Sequence, residues 1–220
     1  MIDIRPAATI ILIRDRDTEA RILMGQRGAT AAFMPSKFVF PGGAVDAADA
    51  DIAFARQPDA ATVTRLAVAA DAPSATALCA AAIRELWEET GLALGQPASW
   101  HNPPDGWKEF AAGGLRPDAG ALQFVFRAIT PPGRPRRFDA RFFLADADAL
   151  AGDPDDFSAA TDELSYLQWV TLDQARALDL PFITSVVLAE VAHLLGGHAQ
   201  SGGVPFFDNS GARPQFRRLV

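Results

Sequence analysis

The stretch AAIRELWEETGL, residues 81–92, places Glu85, Glu88 and Glu89 within five consecutive positions, directly after Arg84. Cys79, Ala82, Ile83 and Leu86 follow the i, i+3, i+4, i+7 spacing of an amphipathic helix and give the segment one apolar stripe. At about 100° per residue the three glutamates fall in a sector of roughly 100° beside that stripe, so they are neighbours in space. Like charges at these spacings repel. They also sit in the last turns before Gly91, where the helix macrodipole favours cations. Two local rules are opposed at once, and such conflicts concentrate at functional sites. A hard divalent cation takes oxygen ligands and would turn the repulsion into attraction. A solvated, Glu-rich helix end is the plain alternative, and the glutamates alone do not separate the two.

The neighbouring sequence separates them. The helix has Asp71 or Ser74 as candidate N-caps and Gly91 as its stop. Upstream, Pro41-Gly42-Gly43 closes the run KFVFPGG and reads as a loop. Together, this glycine loop and the helix residues Arg84, Glu85, Leu86, Glu88, Glu89, Gly91 and Leu92 resemble the signature of the Nudix hydrolases, G-x5-E-x7-R-E-U-x-E-E-x-G-U with U aliphatic. The second half matches throughout. The first half is split. Gly43 lies 41 positions before Arg84 where an unbroken signature has 14, so 27 residues are inserted, and the signature's first glutamate has no match. Counting forward from Gly43 gives Asp49 at that place; counting back from Arg84 gives Thr76.

The resemblance implies a Nudix-type α/β/α sandwich with a mixed β-sheet. It also implies hydrolysis of a diphosphate linked to another moiety, with Mg2+ or Mn2+ as cofactor. By the same likeness Glu85, Glu88 and Glu89 are the metal ligands, and Arg84 pairs with a glutamate and orients it. Gly42 and Gly43 let the backbone approach helix and phosphates, and a homodimer is the common assembly. The general base is a helix glutamate such as Glu85 or a distant acid. The distant candidate here is Glu163, in TDELSYLQW, with Asp162 beside it. A Nudix-fold module that binds a nucleotide or protein without hydrolysis is the competing reading, and retention of all three helix glutamates favours the enzyme.

The stretch LMGQRGATAAFMPSKFVFPGG (23–43) and the insert resemble the branch that cleaves coenzyme A and acyl-CoA. Ala31 and Pro35-Ser36 depart from that branch's arginine and glycine, and ADP-ribose, dinucleotides and prenyl diphosphates stay open as substrates. Arg27, Lys37, Arg134, Arg136 and Arg137 are the basic residues that would hold phosphates. For the 134–137 group a solvated hairpin turn is the simpler reading. Trp100, Trp107 and Phe110 suit either a stacked base or a core.

The rest of the chain sets the frame. Short β-branched or aromatic runs predict strands at Ala7–Asp15, Ala20–Arg27, Leu122–Thr130, Arg136–Asp146 and Leu164–Leu172. Helices are expected near Pro104–Ala112, at DQARALDL and at TSVVLAEVAHLLGG. Residues 46–75, rich in Ala and Asp, read as a surface insert in a single domain of 220 residues, and the Gly- and Pro-rich tail has no assigned place. A hydrophobic content of 49% with 21% charged residues is that of a soluble globular chain. A net charge of −7 argues against general nucleic-acid or anionic-membrane binding, but not against a phosphate ligand beside a bound metal. One cysteine, Cys79, allows no intrachain disulfide, and no signal-peptide or membrane-spanning pattern is evident, so a cytoplasmic protein is expected.

Overall fold

The structure, a computed structural model, describes residues 3–68, 73–211 and 213–220. Its strands are β1 (Ile4–Arg14), β2 (Arg21–Arg27), β3 (Phe38–Val39), β4 (Gly42–Ala44), β5 (Gly95–Pro97), β6 (Leu115–Pro117), β7 (Gln123–Ile129), β8 (Arg137–Asp146), β9 (Leu164–Thr171), β10 (Val204–Asp208) and β11 (Gln215–Leu219). Its α-helices are α1 (Ala60–Ala67), α2 (Ala75–Thr90), α3 (Lys108–Ala112), α4 (Leu172–Ala177) and α5 (Phe182–Leu195). The main sheet runs β11-β10-β7-β8-β1-β2-β3, with β4 beside β1 and β9 beside β2. β1 pairs parallel with β8, and β7 with β10, while the remaining ladders are antiparallel. The sheet is therefore mixed, as the resemblance implied.

Strand periodicity explains the layers. In β1, Ala8, Ile10 and Leu12 face α2 and pack with Leu78, Ala82, Ile83 and Leu86, while Ile11 and Ile13 face the α5 residues Val187, Leu188 and Val191. Both faces are buried, which is why β1 is a near-continuous apolar run rather than an alternating one. Cys79 lies at 0% exposure in this core, and burial pushes its thiol up to about 12, so it behaves as a small hydrophobe. Trp107 and Phe110 are core residues as well, packed edge to face at 5.3 Å. Among the described residues no helix is long and apolar enough to cross a membrane.

The helix α2 is delimited by local chemistry. The Ser74 hydroxyl accepts from the Ala77 N–H and caps its start; the other candidate, Asp71, lies outside the described residues. Gly91 ends it in the left-handed conformation at φ 74°, donating to the Trp87 carbonyl. A Cβ at Gly91 would also lie 3.0 Å from that of Ala159. Gly91→Ala is expected to cost about 1–2 kcal/mol, seen as a Tm lower by about 2–8 °C in a thermal melt; an unchanged Tm would contradict this.

Three expectations change. The Gly42-Gly43 segment is not a loop: it forms β4, with Thr9 opposite Gly42 and Ala8 opposite Gly43. The 46–75 segment is not simply a surface excursion, because Ile52, Phe54 and Leu66 join the core and Asp49 is 1% exposed. The tail has a place: β10 and β11 extend the sheet beyond β7. A small β5-β6 ladder was also not anticipated.

Candidate active site

The strand β4 and the helix α2 meet through their smallest and their most charged residues. The Gly42 N–H donates to Glu89 Oε2 at 2.7 Å. A Cβ at Gly43 would lie 2.4 Å from Glu85 Oε1, so only glycine lets that carboxylate rest on the strand. Arg84 binds from the side. Its Nη1 donates to Glu85 Oε1 at 2.9 Å and to Glu88 Oε2 at 3.0 Å, and its Nη2 donates to the Ala44 carbonyl at 2.9 Å.

The remaining face of the guanidinium is held by Asp49. Arg84 Nε and Nη2 each donate to one Asp49 carboxylate oxygen at 3.1 Å, and Asp49 Oδ2 also accepts from the Asp46 N–H at 2.8 Å. Asp49, the residue reached by counting forward from Gly43, is thus paired with Arg84 beside Glu85 and Glu88. Burial works against the Arg84 charge, but Asp49, Glu85 and Glu88 together hold its pKa above the usual arginine value.

The glutamates are short of positive partners. Burial pushes Glu85 up to about 7, against the Arg84 charge and hydrogen bond, with Glu88 and Glu163 adding to the rise. Glu89, 1% exposed, is raised well above the ordinary carboxylate value by burial and by Glu85, with the Gly42 N–H opposing. Glu88 is raised mainly by burial, with Arg84 opposing. Glu163 lies just before β9, and its loop is docked on the end of α2, where the Thr161 N–H donates to the Glu88 carbonyl at 3.0 Å. The Glu163 charge is close enough to raise the proton affinity of Glu85 and Glu89, and its Oε1 stands 3.6 Å from Arg27 Nη2. The structure thus brings Arg27, Gly42, Gly43, Arg84, Glu85, Glu88, Glu89 and Glu163 into one region. Lys37 instead pairs with Asp179, and Arg134 and Arg136 are exposed between β7 and β8.

Among the described residues no three acidic, histidine or cysteine side chains are placed together so as to hold a metal ion. The donor set still fits a hard cation: Glu85, Glu88 and Glu89 offer only oxygen, their proton affinities are all raised, and among the described residues Arg84 is the cation hydrogen-bonded to Glu85 and Glu88.

No family model matches the chain. Individual proteins do. A NUDIX hydrolase structure from Alicyclobacillus acidocaldarius superposes with a TM-score of 0.64 at 30% identity, covering 87% of this chain and 93% of that one. A Caenorhabditis elegans protein named nudix hydrolase 7 is 33% identical over 181 residues, 76% of this chain. The chain spans about half of that relative's length, 51%. The NUDIX domain of Shewanella oneidensis NrtR complexed with ADP ribose shares the fold at a TM-score of 0.52 and 12% identity, covering 89% of this chain and 90% of that one. With the glycine strand, the Arg84 clamp and the three carboxylates in place, and with a solved relative matched over nearly its whole length, the chain belongs to the Nudix hydrolase family.

Proposed function

We propose that the protein is a divalent-metal-dependent diphosphatase that hydrolyses the diphosphate linkage of a nucleoside diphosphate derivative. The observation that carries this reading is the seating of Glu85 and Glu89 on β4, with Glu88 held beside them by Arg84 and Glu163 within electrostatic reach. Glu85, Glu88 and Glu89 would hold Mg2+ or Mn2+, which when bound supplies neutralisation of phosphate charge and more acidic water. Arg84, clamped by Asp49, orients Glu85 and Glu88. Arg27 draws a substrate phosphate toward the carboxylates. Glu163, whose side chain is 58% exposed, accepts the proton of the attacking water.

Coenzyme A or acyl-CoA is the proposed substrate, supported by the likeness of residues 23–43 and by the insert between the glycine strand and the helix. The protein is further proposed to work as a single domain in the cytoplasm, as a homodimer. The deciding experiment incubates the full chain with Mg2+ or Mn2+ and coenzyme A, acyl-CoA, ADP-ribose, NADH or a dinucleoside polyphosphate, and identifies products by mass. At least one is expected to split within its diphosphate. A panel returned intact with either metal rules the diphosphatase out and leaves a binding module.

A further inference from the structure

Past the end of β1 lies an open cavity of about 320 Å³, a size that suits a small molecule. Three separate parts of the chain meet there. Arg16 comes from the turn between β1 and β2, Arg65 from α1, and His198 and Gln200 from the connection between α5 and β10. Leu144 of β8 and Leu194 of α5 supply apolar walls. The cavity is separate from the carboxylate site. The two share no residue, and β1 runs about 20 Å from Ala8, which stands opposite Gly43, to its last residue Arg14.

The local charge runs against that of the chain. The net charge of the protein is −7, yet two guanidinium groups and an imidazole line the cavity, and none of the described residues that line it is acidic. Arg16 shares its charge with Asp146, which lies outside the lining, Nε standing 3.5 Å from Oδ2. The Arg65 side chain makes no hydrogen bond or ion pair among the described residues. The His198 ring is stacked on that of His193, with centroids 4.5 Å apart and 13° between the planes. Gln200, 7% exposed, adds an uncharged polar group. Its Nε2 donates to the Val125 carbonyl at 2.9 Å and to Glu190 Oε1 at 3.0 Å, which fixes the orientation of the amide and leaves the buried Oε1 without a hydrogen-bond partner. An acceptor left unsatisfied inside a protein is costly.

The ligand that fits must bring negative charge, a hydrogen-bond donor and some apolar surface. We propose that this cavity binds a hydroxylated phosphate monoester, such as a sugar phosphate or a nucleoside monophosphate. The dianionic phosphate answers Arg65 and Arg16, whose guanidinium forks match phosphate oxygens in a way that an ammonium does not. A carboxylate brings one charge where the lining offers two or three. A hydroxyl on the ligand is the donor that Gln200 Oε1 lacks, and Leu144 and Leu194 receive the apolar edge of its carbon frame. Apolar walls with a few polar groups are the usual make-up of a small-molecule site. This binding does not depend on the diphosphatase reading, because none of these residues belongs to the carboxylate group.

The test reads binding. Calorimetry on the full chain, with no metal added, titrates ribose 5-phosphate, AMP, adenosine and inorganic phosphate. At least one of the two phosphate esters is expected to bind, about 10-fold or more tightly than adenosine and than inorganic phosphate, the value of a charge-assisted bond. Which ester binds better tells a sugar phosphate from a nucleotide. Arg65→Gln should weaken that ester about 10-fold or more, and Arg16→Gln combined with it should abolish the binding heat. Arg65→Lys keeps the charge but loses the fork and should fall between. Arg16 is exposed and Arg65 half-buried, so these variants are expected to fold, and Arg65→Lys carries the test if Arg65→Gln does not. Absence of binding by both esters overturns the proposal. So does adenosine binding as tightly as AMP, or inorganic phosphate binding as tightly as either ester. An affinity that survives the double substitution places the ligand elsewhere, the carboxylate site included, and overturns it as well.

Discussion

Glu89→Gln is expected to lower turnover by about 100-fold or more on whichever diphosphate the protein cleaves, because charge stabilisation through a metal is worth several kcal/mol and each 1.36 kcal/mol is tenfold in rate. The substitution is nearly isosteric, and the new amide oxygen can still accept from the Gly42 N–H. The packing of α2 on β4 is thereby retained. What is lost is one negative charge among three. Glu89 is 1% exposed and lies beside Glu85, so the native carboxylate is destabilised in its ionised form by burial and by its neighbour. Replacing it with a neutral amide removes that penalty, and the metal-free variant is expected to melt no lower than the wild type. The combination discriminates. Loss of activity with an unchanged or raised Tm marks a residue kept for chemistry at a cost in stability. Loss of both would mark a packing residue, and full activity would remove Glu89 from the proposed ligand set.

The carboxylate helix was legible because its information is local. Spacing within α2, the Ser74 cap and the Gly91 stop all lie inside one run of sequence, and so do the apolar or aromatic runs and flanking turns of β1, β7, β8 and β9. What failed to show depends on partners far away in the chain. Pro41-Gly42-Gly43 has the composition of a turn, yet Gly42–Ala44 is a strand because β1 supplies its hydrogen-bond partners and the glutamates require a backbone without side chains. The tail residues Val204–Asp208 are one short apolar run among glycines, and pairing with β7 on one side and β11 on the other makes them a strand. The Ala- and Asp-rich insert hides three core residues, Ile52, Phe54 and Leu66, because they are too sparse to give a period. Arg127 and Arg141 are single charges inside apolar strands, and that they stand opposite each other shows only in the cross-strand register. Glu163 could be named from its place before a strand, but its proximity to Glu85 and Glu89 comes from the docking of its loop on α2 through Thr161.

Asp49 is where the insert and the site become one argument, and its removal is expected to be the most damaging change to stability. Arg84 is 7% exposed, and all of its nitrogens are engaged: Nε and Nη2 by Asp49, Nη1 by Glu85 and Glu88, and Nη2 also by the Ala44 carbonyl. Asp49→Ala deletes a two-pronged partner that is itself 1% exposed and leaves the Asp46 N–H without its acceptor. Breaking a buried pair from one side costs about 3–5 kcal/mol, because the stranded charge stays buried. Denaturant unfolding should report a loss of that size with an unchanged m-value. Asp49→Asn keeps the shape and an acceptor for Asp46 but not the charge, and should fall between. The chemical consequence follows from the same contacts. A guanidinium released on one side no longer fixes Glu85 and Glu88, so metal affinity, measured by calorimetry well below the melting temperature, should weaken about 10–100-fold, the usual effect of losing a partner that orients ligands. If Asp49 serves only to pin the insert, stability would fall while metal affinity held. Loss of both is the result expected if the 3₁₀ turn Ala47–Asp51 is the missing piece of the signature, displaced in sequence from the helix it serves but not in space.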